Sequence, residues 1–144
     1  GITDAGVQNL SSHKTITSLH LDGNDLTDES LKHLQQMPSL EYLVMSETKI
    51  TDAGVEHLRS VRRLNDLNFD YTELTDACIP HLAAMPNLEY LSLSGTKITD
   101  ESVATLKKMR KLVDLYIDGT QISEPAAKDL QRSLPDTYIY HDYE

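Results

Sequence analysis

The chain has little cysteine and comparatively few basic residues. Cys78 is alone among 144 residues, so no internal disulfide can staple the fold, and a lone thiol leaves the redox compartment open. No apolar run approaches the roughly 18 residues that a membrane-spanning helix requires, so insertion into a bilayer is not expected. Lys and Arg number 13 against 23 Asp and Glu, a formal net charge of -10. That balance repels a phosphate backbone unless the bases gather on one face, so nucleic acid is not expected as a partner. A glycine-rich phosphate loop is missing, as is a Ser with a plausibly placed His and Asp. No catalytic residue and no cofactor are therefore expected, and an enzyme would need a second domain. There is also no initiator Met and no charged-then-apolar leader. The chain opens inside a repeating pattern, which is the expectation for a piece of a longer protein.

Aligned on itself at 24 residues, the chain repeats one apolar pattern without insertion or deletion. Leu19, Leu43, Leu67, Leu91 and Leu115 form one column, and Leu21, Met45, Phe69, Leu93 and Ile117 form a second. Ile16, Leu40, Leu64, Leu88 and Leu112 precede them; Asn24, Thr48, Thr72, Thr96 and Thr120 follow in a polar slot; Leu26, Ile50, Leu74, Ile98 and Ile122 close that half. Thr-Asp then recurs at 27–28, 51–52, 75–76 and 99–100, with Thr3-Asp4 before them and Ser123-Glu124 after. The rest of each unit carries apolar residues three apart, as in Leu31-Leu34-Met37 and Val103-Leu106-Met109, one stripe at helical spacing. Each unit thus predicts a strand, a turn and a helix. Thr-Asp reads as helix-start chemistry, with a side-chain oxygen for an orphan N–H and a carboxylate at the positive end of the dipole.

These motifs, L-x-x-L-x-L-x-x-[TN]-x-[IL] followed by T-D, resemble the leucine-rich-repeat family. The likeness is to its helical-convex types, shared by ribonuclease-inhibitor-like, F-box-associated and bacterial tandem-repeat proteins, and it runs from residue 1 to about residue 140. It implies an α/β fold: a right-handed solenoid with a parallel sheet on the concave face and helices on the convex face. Geometry agrees, because paired strands lie about 4.8 Å apart while packed helices need about 8 to 10 Å, so the stack bends toward its sheet. The expected organisation is a single domain over 1–144, with a partial repeat at 1–13, about five full repeats, and a closing strand and tail at 135–144. The last polar strand resembles the closing strand of bacterial tandem repeats, so an authentic C-terminus is expected, and because the first unit has only its helix half while solenoids need polar terminal units, a chain that continues upstream is expected. Thr replaces Asn at the polar slot in four units, which predicts an amide ladder with fewer bonds.

Side chains of a strand alternate faces, so the neighbours of the two apolar columns form the presented surface. Unit by unit these are Ser18-His20-Asp22, Tyr42-Val44-Ser46, Asp66-Asn68-Asp70, Tyr90-Ser92-Ser94, Asp114-Tyr116-Asp118 and, with a sixth strand, Tyr138-Tyr140-Asp142. Tyr71 falls just past a strand and Tyr143 just past the last. Exposed tyrosines are of the type enriched in binding hot spots, being large, flat and polar at one end. The candidate partner-binding residues are Tyr42, Asp66, Asn68, Asp70, Tyr90, Asp114, Tyr116, Asp118, Tyr138 and Tyr140, and the expected partner is another protein or peptide of basic character. Two other readings stand beside it: a spacer segment whose tyrosines are simply good strand residues, and a glycan-binding face.

His33, His57 and His81 share one helical column, but helices about 8 to 10 Å apart cannot bring three imidazoles about 2 Å from one zinc ion. They read as surface histidines, and no metal site is expected. Asp118 and Asp142 on adjacent strands form a weaker candidate for a hard cation. Cys78 aligns with Gly6, Ser30, Gly54, Ser102 and Ala126, a small-residue column where the helix approaches the sheet, and reads as a buried inert thiol. Pro80, where other units have Glu56 and Ala104, predicts a late or kinked helix. Arg59, Arg62, Arg63, Lys107, Lys108, Arg110 and Lys111 after the helices predict one basic edge opposite an acidic one.

Overall fold

The computed structural model describes residues 1–142; Tyr143 and the end of the expected tail at 135–144 lie outside them. Six parallel strands, β1 (Ser18–His20), β2 (Tyr42–Val44), β3 (Asp66–Asn68), β4 (Tyr90–Ser92), β5 (Asp114–Tyr116) and β6 (Tyr138–Tyr140), pair in chain order. The register joins Leu19 to Leu43, Leu67, Leu91 and Leu115, the first apolar column of the repeat, and then to Ile139. These leucines and the second column beside them are buried, and Phe69 fills with its ring the place that Leu, Met or Ile takes elsewhere. The sheet is open, with the concave side presented by its strands and the helical segments on the convex side, a solenoid of the α/β class.

The helical halves are α1 (Asp4–Leu10), α2 (Asp28–Leu34), α3 (Asp52–Val55), α4 (Ile79–Ala83), α5 (Val103–Leu106) and α6 (Glu124–Ser133). A 3₁₀ turn, Glu56–Ser60, continues α3, and 3₁₀ turns Asp76–Cys78 and Asp100–Ser102 lead into α4 and α5. The late start expected at Pro80 is there, with Pro80 in the first turn of α4. Proline is not its whole cause, because α5 begins equally late without one. Every residue of the four predicted helical stripes is buried against the sheet, from Leu31 to Met109.

Beside the expected capping, the Thr-Asp column also locks the units together. Each Asp reaches forward to the next unit and accepts two hydrogen bonds there, one from a backbone N–H and one from a hydroxyl. Asp28 takes Thr51 N at 2.7 Å and Thr51 Oγ1 at 2.6 Å, and Asp52 takes Thr75 N at 2.8 Å and Thr75 Oγ1 at 2.6 Å. Asp76 holds Thr99 at 2.8 and 2.7 Å, Asp100 holds Ser123 at 2.7 and 2.8 Å, and Asp4 holds Thr27 at 3.0 and 2.8 Å. Caps within the unit also form at Thr27, Thr75, Thr99 and Ser123, but at 3.2 to 3.4 Å. Charge-assisted bonds are the shorter and stronger kind, so the ladder between units dominates.

Two expectations are corrected by this ladder. The polar slot makes no ladder through its threonines: Thr48, Thr72, Thr96 and Thr120 each donate back to a carbonyl three residues earlier in their own unit, and only Asn24 also reaches a neighbour, accepting from Ile2 N at 2.8 Å. A hydroxyl is too short to span two units once it has closed its own turn. At Ser30, Gly54 and Ser102 the small-residue column faces the ladder. Ser30 and Ser102 donate to Asp4 and Asp76, and a Cβ on Gly54 would collide with the Asp28 carboxylate and the Leu31 side chain. Cys78 is buried in the same column, and burial first, then the charges of Asp52 and Asp76, push its thiol far above the ordinary range.

Candidate binding face

Beyond each strand the chain keeps pairing before it turns away, with Gly23 N on Ser46 O at 2.9 Å and Tyr71 N on Ser94 O at 2.8 Å. That turn requires a left-handed residue, Gly23, Gly95 and Gly119 in three units but Glu47 (φ 55°) and Tyr71 (φ 54°) in two. Glycine has no steric penalty there, whereas a side chain does. Tyr71 lays its ring over Gly95, where a Cβ would strike it.

The face between these turns and the strand starts carries two rows of residues across the strands. The first row is Ser18, Tyr42, Asp66, Tyr90, Asp114, Tyr138; the second is His20, Val44, Asn68, Ser92, Tyr116, Tyr140. Tyr42, Tyr90 and Tyr138 are 45%, 38% and 68% exposed, Tyr116 and Tyr140 36% and 41%. Asp66, Asn68, Asp70, Asp114 and Asp118 are half-buried. All ten candidate residues therefore lie on one face, although they are not equally open. Asp70 accepts from Ser92 Oγ at 2.6 Å and Ser94 N at 2.8 Å, which buries Ser94, a residue expected to be presented. Asn68 Oδ1 takes Asp70 N at 2.9 Å. Around these groups is a shallow hollow of about 330 Å³, with Leu67 and Leu91 at its floor and Asp66, Tyr90, Ser92 and Tyr116 at its walls.

No strand position on this face carries Lys or Arg. Beyond the strands, Lys49 is engaged by Asp25 at 2.6 Å and Lys97 by Glu73. Asp66 accepts no hydrogen bond among the described residues; burial raises its carboxyl above the ordinary range and the nearby His20 only partly offsets this. Asp118 is raised by burial and then by Asp142, which itself accepts Gly119 N at 3.0 Å. The two carboxyls do meet, but among the described residues no group of three His, Cys, Asp or Glu is placed to hold a metal ion. Tyr116 and Tyr140 stack, centroids 4.2 Å apart and planes at 4°. The Tyr140 phenol is raised by its hydrogen bond with Tyr116, by burial, and by the Asp114 carboxylate.

The other candidate groups do not gather. His33, His57 and His81 are half-buried along the helical side, and His33 faces Glu29 at 3.6 Å. The expected basic edge is partly neutralised, Arg63 by Glu41 and Lys107 by Asp129, while Lys111 donates to the Pro86 carbonyl at 2.6 Å.

One signal in the sequence was passed over by aligning single units. Met37-Pro38-Ser39-Leu40-Glu41-Tyr42-Leu43 returns two repeats later as Met85-Pro86-Asn87-Leu88-Glu89-Tyr90-Leu91. Asp25 and Glu73 occupy one turn position in alternate units, and Lys49 and Lys97 occupy it in those between. The repeat that shapes the face is therefore a pair of units, and it is this pairing that alternates Tyr with Asp along the first row.

A parallel sheet stacked unit on unit, with convex helical segments and one patterned face, defines a leucine-rich solenoid. The chain belongs to the leucine-rich-repeat family: the family pattern described as Leucine Rich repeat matches residues 12–34, 36–61 and 84–107. Among solved structures it is similar to an internalin (inlF) from Listeria monocytogenes str. 4b F2365, at 18% identity and a TM-score of 0.68. That alignment covers 95% of this chain and 46% of the internalin chain, so the present chain spans less than half of that protein's length and the likeness is one of fold. No curated protein matches the sequence. Among the described residues no helix is long and apolar enough to cross a membrane.

Proposed function

We propose that the chain is a binding module that recognises a basic protein or peptide on its tyrosine-rich sheet face and carries out no reaction of its own. Repeats of this family generally mediate binding between proteins. The observation that carries the reading is the concentration of exposed aromatics: six tyrosines, 36% to 68% exposed, lie on or beside one face that has no Lys or Arg. A plain solvated sheet has no need of such groups, and aromatic side chains left open to water are the kind that anchor interfaces. The half-buried aspartates among them set the sign of the partner, because complementary potential favours a cationic surface. The residues proposed to make contact are the ten named above, presented by one solenoid that runs through the described chain.

The test is capture from source-cell lysate on immobilised protein, wild type beside a Tyr90→Ala/Tyr116→Ala variant, with circular dichroism to show that both are folded. A protein retained by wild type and lost by the variant supports the reading. Retention that survives both changes moves the contact to the convex face, and no specific retention favours a spacer role.

A further inference from the structure

The first row of the face alternates where the rest of the fold repeats. It reads Tyr42, Asp66, Tyr90, Asp114, Tyr138, each aligned with the next in parallel register. Each of the two carboxylates thus stands between tyrosines on the two neighbouring strands. They are two strands apart, about 9.6 Å at about 4.8 Å per strand. The second row is built differently: its adjacent tyrosines, Tyr116 and Tyr140, stack and cover one face of each other.

We propose that this row is a docking track for an extended basic peptide that crosses the strands in a polyproline-II conformation, with arginines three residues apart seated at Asp66 and Asp114. The proposal rests on the sheet face being the binding surface. Charge complementarity names the side chain. The strand positions of the face carry no Lys or Arg, Lys49 and Lys97 beyond the strands are held by Asp25 and Glu73, Asp66 has His20 as its cationic neighbour, and Asp114 is bonded to the Tyr140 phenol, which leaves its charge uncompensated by a base. A guanidinium is planar and weakly hydrated, and it can lie on an aromatic ring while it bonds a carboxylate, which an ammonium does less well.

The spacing names the backbone. A polyproline-II helix has three residues per turn and rises about 3.1 Å per residue, so residues i and i+3 point the same way about 9.3 Å apart. In a β-strand, side chains on one side are about 6.7 or about 13.3 Å apart, and neither fits. In an α-helix the nearest match is i and i+7 at about 10.5 Å. The three-residue step is thus the closest to the two-strand step, and it needs no internal hydrogen bonds from the ligand.

The experiment is fluorescence anisotropy with labelled proline-rich peptides of equal charge that carry two arginines two, three or four residues apart, together with a helical peptide carrying them seven apart. The expected result is that the three-residue spacing binds about ten-fold tighter than the others. Asp66→Asn or Asp114→Asn should each remove most of that preference, while Asp22→Asn, off this row, leaves it intact. Equal affinity at all spacings, a preference for the helical peptide, or equal loss with Asp22→Asn would overturn the proposal. If lysate capture depends on Tyr90 and Tyr116 while the spacings bind alike, the face is a binding face and this ligand is the wrong one.

Discussion

Asp66 and Asp76 belong to the same repeat, and their carboxyls are pushed in opposite directions. Both lose solvation. At Asp76 the hydrogen bonds from Ser102 and Thr99 outweigh that loss and hold the carboxyl below the ordinary aspartate range, and Asp4 is held in the same way by Ser30 and Thr27. At Asp66 no donor compensates, and the carboxyl is raised. The recurring aspartate is committed to the neighbouring unit, whereas Asp66, at a position that varies from strand to strand, accepts no hydrogen bond among the described residues and has His20 as its charged neighbour. The repeating polar residue thus holds the stack, and the varied one is open to the partner proposed above.

Several substitutions can break or sharpen that contrast. The largest effect is expected from Asp76→Ala, which strands the Thr99 N–H and two hydroxyls and should lower unfolding free energy by about 3 kcal/mol in urea titration. Asp66→Ala, on the face, removes no hydrogen bond and should change it by less than about 0.5 kcal/mol. Thr75→Val keeps the N–H bond to Asp52 and loses the hydroxyl bond, so about 1 to 2 kcal/mol should go. Gly54→Ala is sharper in sign. Helix propensity alone would favour alanine by about 1 kcal/mol, yet the new methyl displaces Asp28 from Thr51, and a net destabilisation is expected; a gain would show that the ladder bond there contributes little.

The smallest effect concerns pH. A lowered carboxyl contributes stability that is complete above its unfolded value, 3.8, and is lost as pH falls through its folded value. A raised one does the reverse: its ionisation opposes folding, so stability grows as pH falls through the folded value toward 3.8. The urea midpoint should therefore rise slightly in mild acid and drop below about pH 4. Asp66→Asn should reduce the rise and leave the drop; Asp76→Asn should reduce the drop.

The stack itself was legible in the sequence because its columns are one apolar type at one spacing, and Leu19, Leu43, Leu67, Leu91 and Leu115 pair as aligned. The ladder was half legible. Thr-Asp recurs plainly, but local capping and contact between units use the same two residues, and only the distances rank them. The sheet face was legible as a set of positions through the two-residue alternation of strands. Its openness was not, since Asp70 is tied by Ser92 and Ser94, and Tyr116 is stacked on Tyr140 through contacts two strands can make only once registered. The alternation of Tyr42, Asp66, Tyr90 and Asp114 was in the letters all along, and a single-unit alignment averages it away.

The most direct measurement is an NMR titration of the aspartate side-chain carboxyl carbons in the folded protein. Asp4 and Asp76 are expected to titrate below the ordinary aspartate range, and Asp66 and Asp118 above it. If the four titrate together, the division between carboxylates that join the repeats and carboxylates left for a partner does not exist.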